Sequence, residues 1–457
     1  MQQNRERLSS RLGFILLSAG CAVGLGNVWR FPYVTGQNGG AIFVLVYLFF
    51  LAIFGLPIMV MEFSVGRASQ RSVATAFNEL EPKGTKWHWF RYVAMGGNFI
   101  LMMFYTTIGG WMLQYLIKII GGEFEGANTQ QVETVFSQMQ QEPVGSVFWM
   151  VVTTLLGFGI CMLGLRKGVE KITKIMMSSL FVIMLVLAVR SFTLPGAMEG
   201  LQFYLWPDLN QIQDNWWNIV GAAMGQAFFT LSIGIGSMAI FGSYIGKSRS
   251  LMGEACNITL LDTLVALVAG LIIFPACSSF GVDVGSGPKL VFVTLPNIFN
   301  SMAGGRIWGA LFFLFMTFAA LTTIIAVFEN IVSFGMDLFH WSRKKSVTIN
   351  IVVVIVLSLP CALGFSLLNG FQPLGAGTSI LDLEDFIVSN NLLPIGSLIF
   401  LLFCTRKSGW GWENFIEEAN QGKGWKFPKW ARFYVTWILP ILVIFIFLQG
   451  YIQMILA

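Results

Sequence analysis

Two long apolar stretches of the 457-residue chain are interrupted by glycine. One reads Ala19-Gly20-Cys21-Ala22-Val23-Gly24-Leu25-Gly26-Asn27 and the other Phe229-Thr230-Leu231-Ser232-Ile233-Gly234-Ile235-Gly236-Ser237. Glycine costs a helix about 1 kcal/mol relative to alanine, so these clusters predict breaks that free backbone amides and carbonyls. At membrane depth such groups are tolerated only where they line a cavity or bind something. The alternative is close helix packing through small residues, and Gly20 and Gly24 do have GxxxG spacing. The equivalent placement of Gly24 and Gly234 in the first and sixth apolar runs favours breaks, because paired broken helices in corresponding halves mark a shared binding site. Ionisable residues within apolar runs are costly and usually functional. Arg30, Glu62, Asp262 and Asp385 are of this kind. The hydroxyls of Thr322 and Thr323, taken alone, read as back-bonding to the preceding helical turn. His88 and His340 are the two histidines, both beside basic loops, and the six cysteines fall in or next to apolar runs. That distribution offers no Cys/His metal cluster and no nucleophile–base pair, so enzyme chemistry is poorly supported.

The elements that must position these residues are set by composition. Hydrophobic residues make up 55% of the chain and charged residues 11%, where roughly 25% charged is usual for a soluble domain. So few charges cannot coat a soluble surface. Apolar runs near 11–38, 41–66, 90–120, 145–166, 168–193, 216–246, 253–284, 305–340, 346–368, 380–404 and 430–456 predict eleven membrane-spanning helices, each needing about 20 apolar residues. The polar stretch before Arg11 is followed by no convincing cleavage site, which predicts that the first apolar run is retained. With the N-terminus inside, the inner loops carry 23 Lys and Arg and the outer loops 4. Basic loops resist translocation, so the expected topology has a cytoplasmic N-terminus and an external C-terminus. Five helices per repeat is odd, so two such repeats insert with opposite topology: 11–193 and 216–406, preceded by a gate segment at 1–10 and followed by an extra helix at 430–456. The outer segment 121–144 is polar and Gln-rich and is expected to be solvated. The outer segment 283–304 carries an apolar face, which predicts a hairpin packed back onto the protein.

At the broken runs the chain resembles the neurotransmitter:sodium symporter family. The likeness is carried by Arg-Leu-Gly-Phe-Ile-Leu from Arg11, by Ala22-Val23-Gly24-Leu25-Gly26-Asn27-Val28-Trp29-Arg30-Phe31-Pro32-Tyr33, and by Gly225-Gln226-Ala227-Phe228-Phe229-Thr230-Leu231-Ser232. Phe318-Ala319-Ala320-Leu321-Thr322-Thr323 and Leu383-Glu384-Asp385-Phe386 extend it through helix ten. Within the family it is similar to the bacterial eleven-helix amino acid transporters, including a tyrosine or hydrophobic amino acid transporter. The resemblance implies an all-α membrane fold of 5+5 inverted repeats with helices one and six broken, plus helix eleven. The inverted-repeat rule was itself drawn in part from this family.

Sodium is a hard cation that prefers oxygen ligands. The resemblance implies two sodium sites: one at Ala22, Asn27, Thr230 and Asp262, the other at Gly20, Val23, Ala319, Thr322 and Thr323. It implies that the substrate carboxylate meets the amides of Leu25 and Gly26 and the Tyr105 hydroxyl, since broken-helix N-termini favour anions. The ammonium would meet carbonyls near Ala22, Phe229 and Thr230, with Ser232 nearby. Leu101, Tyr105, Phe229, Ile235, Thr323 and Val327 would form the side-chain pocket, which is uncharged and rejects charged side chains through desolvation. Gly24 stands where amine-transporting relatives have aspartate, which implies whole amino acids as cargo. Arg30 and Asp385 resemble the outer gate pair, with Phe229 and Tyr105 as the lid. Arg5 and Asp337, with Tyr244, resemble the inner gate. Glu62 is expected to bond free amides of the broken helices. Leu8 and Ser178 depart from the family pattern, which has tryptophan at the first position and proline at the second. The function implied is sodium-coupled import of neutral hydrophobic or aromatic amino acids by alternating access, without chloride. A sodium-independent exchanger or channel of the same fold is the alternative. Membrane lipid is the surrounding partner, nucleic acid is not expected, and the number of copies is left open.

Overall fold

The computed structural model describes residues 6–208, 212–282 and 289–456. Among them, nine helices are long and apolar enough to cross a membrane: Ala41–Ser69, Trp87–Ile120, Pro143–Met162, Leu165–Phe192, Leu251–Ser279, Gly305–Phe339, Arg343–Leu363, Ile380–Thr405 and Lys429–Ile452. Arg11–Ala22 and Gly26–Gln37 form a further span, bent by 56° at the break. The remaining predicted span is also broken, into Ile212–Thr230 and the short helix Ser237–Gly242. All eleven predicted spans therefore have a helical counterpart, and the two broken ones are the first and the sixth.

The two breaks have different physical causes. In the sixth span the backbone turns left-handed, with φ of 51° at Ser232, 104° at Gly234 and 76° at Gly236. Glycine takes that conformation without steric cost, and a Cβ at Gly234 would also overlap the Leu393 carbonyl. In the first span Gly24 has no such dihedral. It is needed for close approach, because a Cβ there would overlap the Tyr105 hydroxyl and lie 2.7 Å from Thr323 Oγ1.

The breaks are held from outside. Glu62, wholly buried in the second span, accepts a hydrogen bond from the freed Gly234 amide and one of 3.2 Å from Met238 N. That is the structural role its sequence position suggested. Gln226 donates to the Gly26 carbonyl at 3.0 Å, joining the two broken spans to each other.

Between the seventh and eighth spans, Leu290–Asn300 is helical and buries Leu290, Val291, Phe292, Val293, Leu295, Ile298 and Phe299. It packs as the apolar face predicted, although 283–288 lie outside the described residues. Phe292 meets Trp29 of the first span edge-on at 6.1 Å. The expectation that 121–144 is merely solvated needs correction. Thr129–Gln141 is an amphipathic helix with a reciprocal Asn128–Gln131 cap, and it buries Val132, Phe136 and Met139. Phe136 stacks on Phe292 at 4.9 Å. The glutamines occupy the exposed face, so composition concealed an apolar stripe spaced by three and four residues.

Candidate functional site

The first cluster of site residues forms where the broken spans meet the seventh. Asn27 Nδ2 donates to Asp262 Oδ1 at 2.8 Å, to the Asp262 carbonyl at 3.0 Å and to Thr230 Oγ1 at 3.1 Å. Thr230 Oγ1 donates to Asp262 Oδ2 at 2.9 Å, and Asn27 Oδ1 accepts from Gly24 N at 3.2 Å. All three side chains are buried. The donor set fits a hard cation, offering a carboxylate, a hydroxyl and a carboxamide. A half-turn of the Asn27 carboxamide would present its oxygen to the same point. Ala22, the fourth residue assigned here, lines the adjoining cavity.

A second cluster lies between the first and eighth spans. Thr323 Oγ1 sits 3.3 Å from the carbonyls of Gly20 and Val23 and 3.4 Å from those of Cys21 and Ala319. Four carbonyls around one hydroxyl again form an all-oxygen environment. Thr322 Oγ1 turns back to Phe318 O at 2.9 Å and Ala319 O at 3.1 Å, the local bond its type favours. The Cys21 carbonyl is an addition to the residues picked from sequence, and Ser232 Oγ also reaches it, at 3.5 Å.

Between the clusters lies a cavity of about 20 Å³, room for roughly one water. It is lined by Ala22, Gly26, Leu101, Tyr105, Phe229, Ser232 and Thr323 from the sequence-derived set, together with Val388 and Leu393 of the tenth span. Leu25, Thr230, Ile235 and Val327 do not line it. The Leu25 amide donates to Tyr105 Oη at 2.9 Å, which leaves the phenolic proton to donate elsewhere. Phe229 covers Gly26 so closely that a Cβ there would lie 2.8 Å from the ring. Above it, the Arg30 guanidinium lies 4.3 Å from the ring centroid, a cation–π contact.

The gate residues are only partly joined. Arg30 and Asp385 make no direct ion pair: Asp385 accepts from Ser389 Oγ at 2.7 Å, and Arg30 Nη1 is buried without a hydrogen bond. Arg5 lies outside the described residues. Asp337 accepts from Ser72 N at 2.7 Å and lies 3.7 Å from Arg71 Nη1. Tyr244 donates to Glu329 at 2.8 Å, and Glu329 is paired with Arg343 at 2.7 Å. That pair, of which Glu329 is wholly buried, was missed in the sequence. Its signal was a glutamate in an otherwise apolar run, fourteen residues before a basic loop.

The geometry accords with comparisons to known proteins. The signature of the Sodium:neurotransmitter symporter family matches residues 5–134 and 128–456, and the chain belongs to that family. An uncharacterized sodium-dependent transporter, YhdH, of Bacillus subtilis (strain 168) is 34% identical over 449 residues, 98% of each chain. The sodium- and chloride-dependent taurine transporter of Homo sapiens is 26% identical over 98% of this chain and 78% of its own. Among solved structures, MhsT in complex with L-phenylalanine is similar with a TM-score of 0.87 and 38% identity, over 98% of this chain and 100% of that one. The protein is thus a multi-pass, sodium-coupled membrane transporter and not an enzyme.

Proposed function

We propose that the protein is a symporter that uses two sodium ions to import neutral hydrophobic or aromatic L-amino acids by alternating access, independently of chloride. The observation that carries this reading is the Asn27–Thr230–Asp262 cluster. It places a buried carboxylate between the two broken spans, beside a small cavity whose lining is uncharged. In that cluster Ala22, Asn27, Thr230 and Asp262 hold one ion. Gly20, Val23, Ala319, Thr322 and Thr323 hold the other, with Cys21 adding a carbonyl. The phenylalanine complex of MhsT supports an amino acid as cargo. The carboxylate meets the amides of Leu25 and Gly26 and the Tyr105 hydroxyl, with Leu25 exchanging its present bond to Tyr105 for one to the substrate. The ammonium meets carbonyls of Ala22, Phe229 and Thr230.

Units 11–193 and 216–406 move against each other, with 1–10 acting at the inner gate and 430–456 as an accessory helix. The protein acts in the plasma (inner) membrane, and Lys/Arg placement supports a cytoplasmic N-terminus and an external C-terminus. Asp262 takes the part of chloride: a fixed carboxylate beside the ions offsets their charge in every cycle.

A charge crossing ~100 mV is worth about 2.3 kcal/mol, and a tenfold sodium gradient adds about 1.4. Two ions therefore supply roughly 7 kcal/mol, enough for on the order of 10⁵-fold accumulation at full coupling. Uptake of labelled phenylalanine and leucine into liposomes, with and without a sodium gradient, tests the proposal. Sodium-driven accumulation above the external concentration supports it, and equal exchange without sodium refutes it in favour of an exchanger.

A further inference from the structure

Below the cavity, on the faces that line it, lies a pair of carboxamides that the transport reading leaves unused. Thr323, Val327 and Asn330 fall on one face of the eighth span, and Asn98, Leu101 and Tyr105 on one face of the third, at helical spacings of three and four. Asn98 and Asn330 are each wholly buried. Asn98 Nδ2 donates to the Ala94 carbonyl at 2.8 Å and to the Ile235 carbonyl, in the break of the sixth span, at 2.9 Å. Asn330 Nδ2 donates to Asn98 Oδ1 at 2.9 Å. This order of donors fixes both amides. Two carbonyls require the Asn98 NH₂, so its oxygen must take a donor, and that donor is the Asn330 NH₂. Asn330 Oδ1 is left over, buried and without a partner.

A buried acceptor without a donor is uncommon and unfavourable. The asparagine pair lies seven residues, about two helical turns, from Tyr105 and Thr323 on the same helix faces. At about 20 Å³ the cavity cannot hold an aromatic side chain. Beyond Leu101 and Thr323, the shared faces offer Val327 and then the asparagine pair. Ile235 is set at the same level by the bond from Asn98 and by its contact with the third span. A Cβ at Gly97 would lie 2.9 Å from Ile235 Cγ2. A ring that displaces the Ile235 side chain reaches the amide pair next.

We propose that Asn330, oriented by Asn98, reads the far end of the substrate side chain and selects aromatic amino acids that carry a hydrogen-bond donor there, a phenol or an indole N–H. The inference rests on the amino acid transport reading above. An apolar side chain of the same size leaves Asn330 Oδ1 unpaired, so it binds less tightly although it fits. A site built to bond a polar tip discriminates against the analogue that lacks it far better than an apolar pocket rejects a polar isostere.

The test is sodium-dependent binding to the full-length purified protein. Tyrosine and 4-aminophenylalanine are compared with phenylalanine and 4-fluorophenylalanine, near-isosteres without a donor at the tip. The first pair is expected to bind about tenfold more tightly in the wild type, the effect of one hydrogen bond. In Asn330→Leu that ratio should fall to near one. A wild-type ratio near one, or an unchanged ratio in Asn330→Leu, overturns the proposal. If Asn330→Leu does not accumulate, the four ligands on the wild-type protein decide alone. Loss of sodium-dependent binding for all four ligands would instead count against the transport reading, so the two failures are distinguishable.

Discussion

Replacing Asp262 with serine removes a carboxylate that bonds side chains of both broken spans, Asn27 at 2.8 Å and Thr230 at 2.9 Å. Serine keeps an oxygen but deletes the charge and leaves a gap about the size of the lost carboxylate. A unit charge attracts a cation ~4 Å away by about 4 kcal/mol at an effective dielectric of 20. Losing that attraction weakens sodium binding by on the order of 10³-fold, since each 1.4 kcal/mol is a factor of ten. The assay is uptake of labelled amino acid into liposomes under a sodium gradient, in gluconate and in chloride buffers. Wild-type uptake is expected to be the same in both. Asp262→Ser should lose most of its uptake in gluconate and recover part of it in chloride, because a free anion can occupy the gap and restore the negative charge. Full activity of the variant without chloride would refute the role assigned to Asp262, as would a wild type that requires chloride.

Thr323→Ala removes the hydroxyl ringed by four carbonyls and is expected to raise the sodium concentration for half-maximal uptake about tenfold. Thr322→Ala, whose hydroxyl also back-bonds locally, should raise it less, and unaltered sodium activation in both variants would defeat the second ion site. Ile235→Phe fills the space beneath the cavity and should shift competition for uptake toward smaller side chains. Equal competition by tyrosine and alanine in wild type and variant would contradict this. Glu62→Gln turns one acceptor on the freed amides into a donor that opposes them, and it should cost about 1–3 kcal/mol, read as a lowered Tm in detergent. An unchanged Tm would mean that the break of the sixth span does not depend on that carboxylate.

Hydropathy and glycine placement belong to short stretches of chain, and for that reason the eleven spans and the two breaks were legible without coordinates. A membrane span needs about 20 apolar residues in a row, and a glycine cluster weakens a helix wherever that helix sits. The family likeness extended this to Asn27, Thr230 and Asp262, which the structure brings together, and to Thr323, which it sets beside the carbonyls of Gly20 and Val23. Other features exist only once distant helices are packed. The Asn98–Asn330 pair joins residues 232 positions apart, and Gln226 reaches Gly26 across 200. Val388 and Leu393 enter the cavity because the tenth span packs beside the breaks. The Thr129–Gln141 helix shows the same limit from the other side. Its apolar stripe is visible in sequence, but the ring of Phe292 that it covers comes from a segment more than 150 residues later. Hydrogen bonds and ring stacking act over a few ångströms in space, and sequence carries no measure of which side chains will come that close. Sequence therefore determined which segments cross the membrane and where they break, while tertiary packing alone decided which buried polar groups are satisfied and which, like Asn330 Oδ1, are left without a partner.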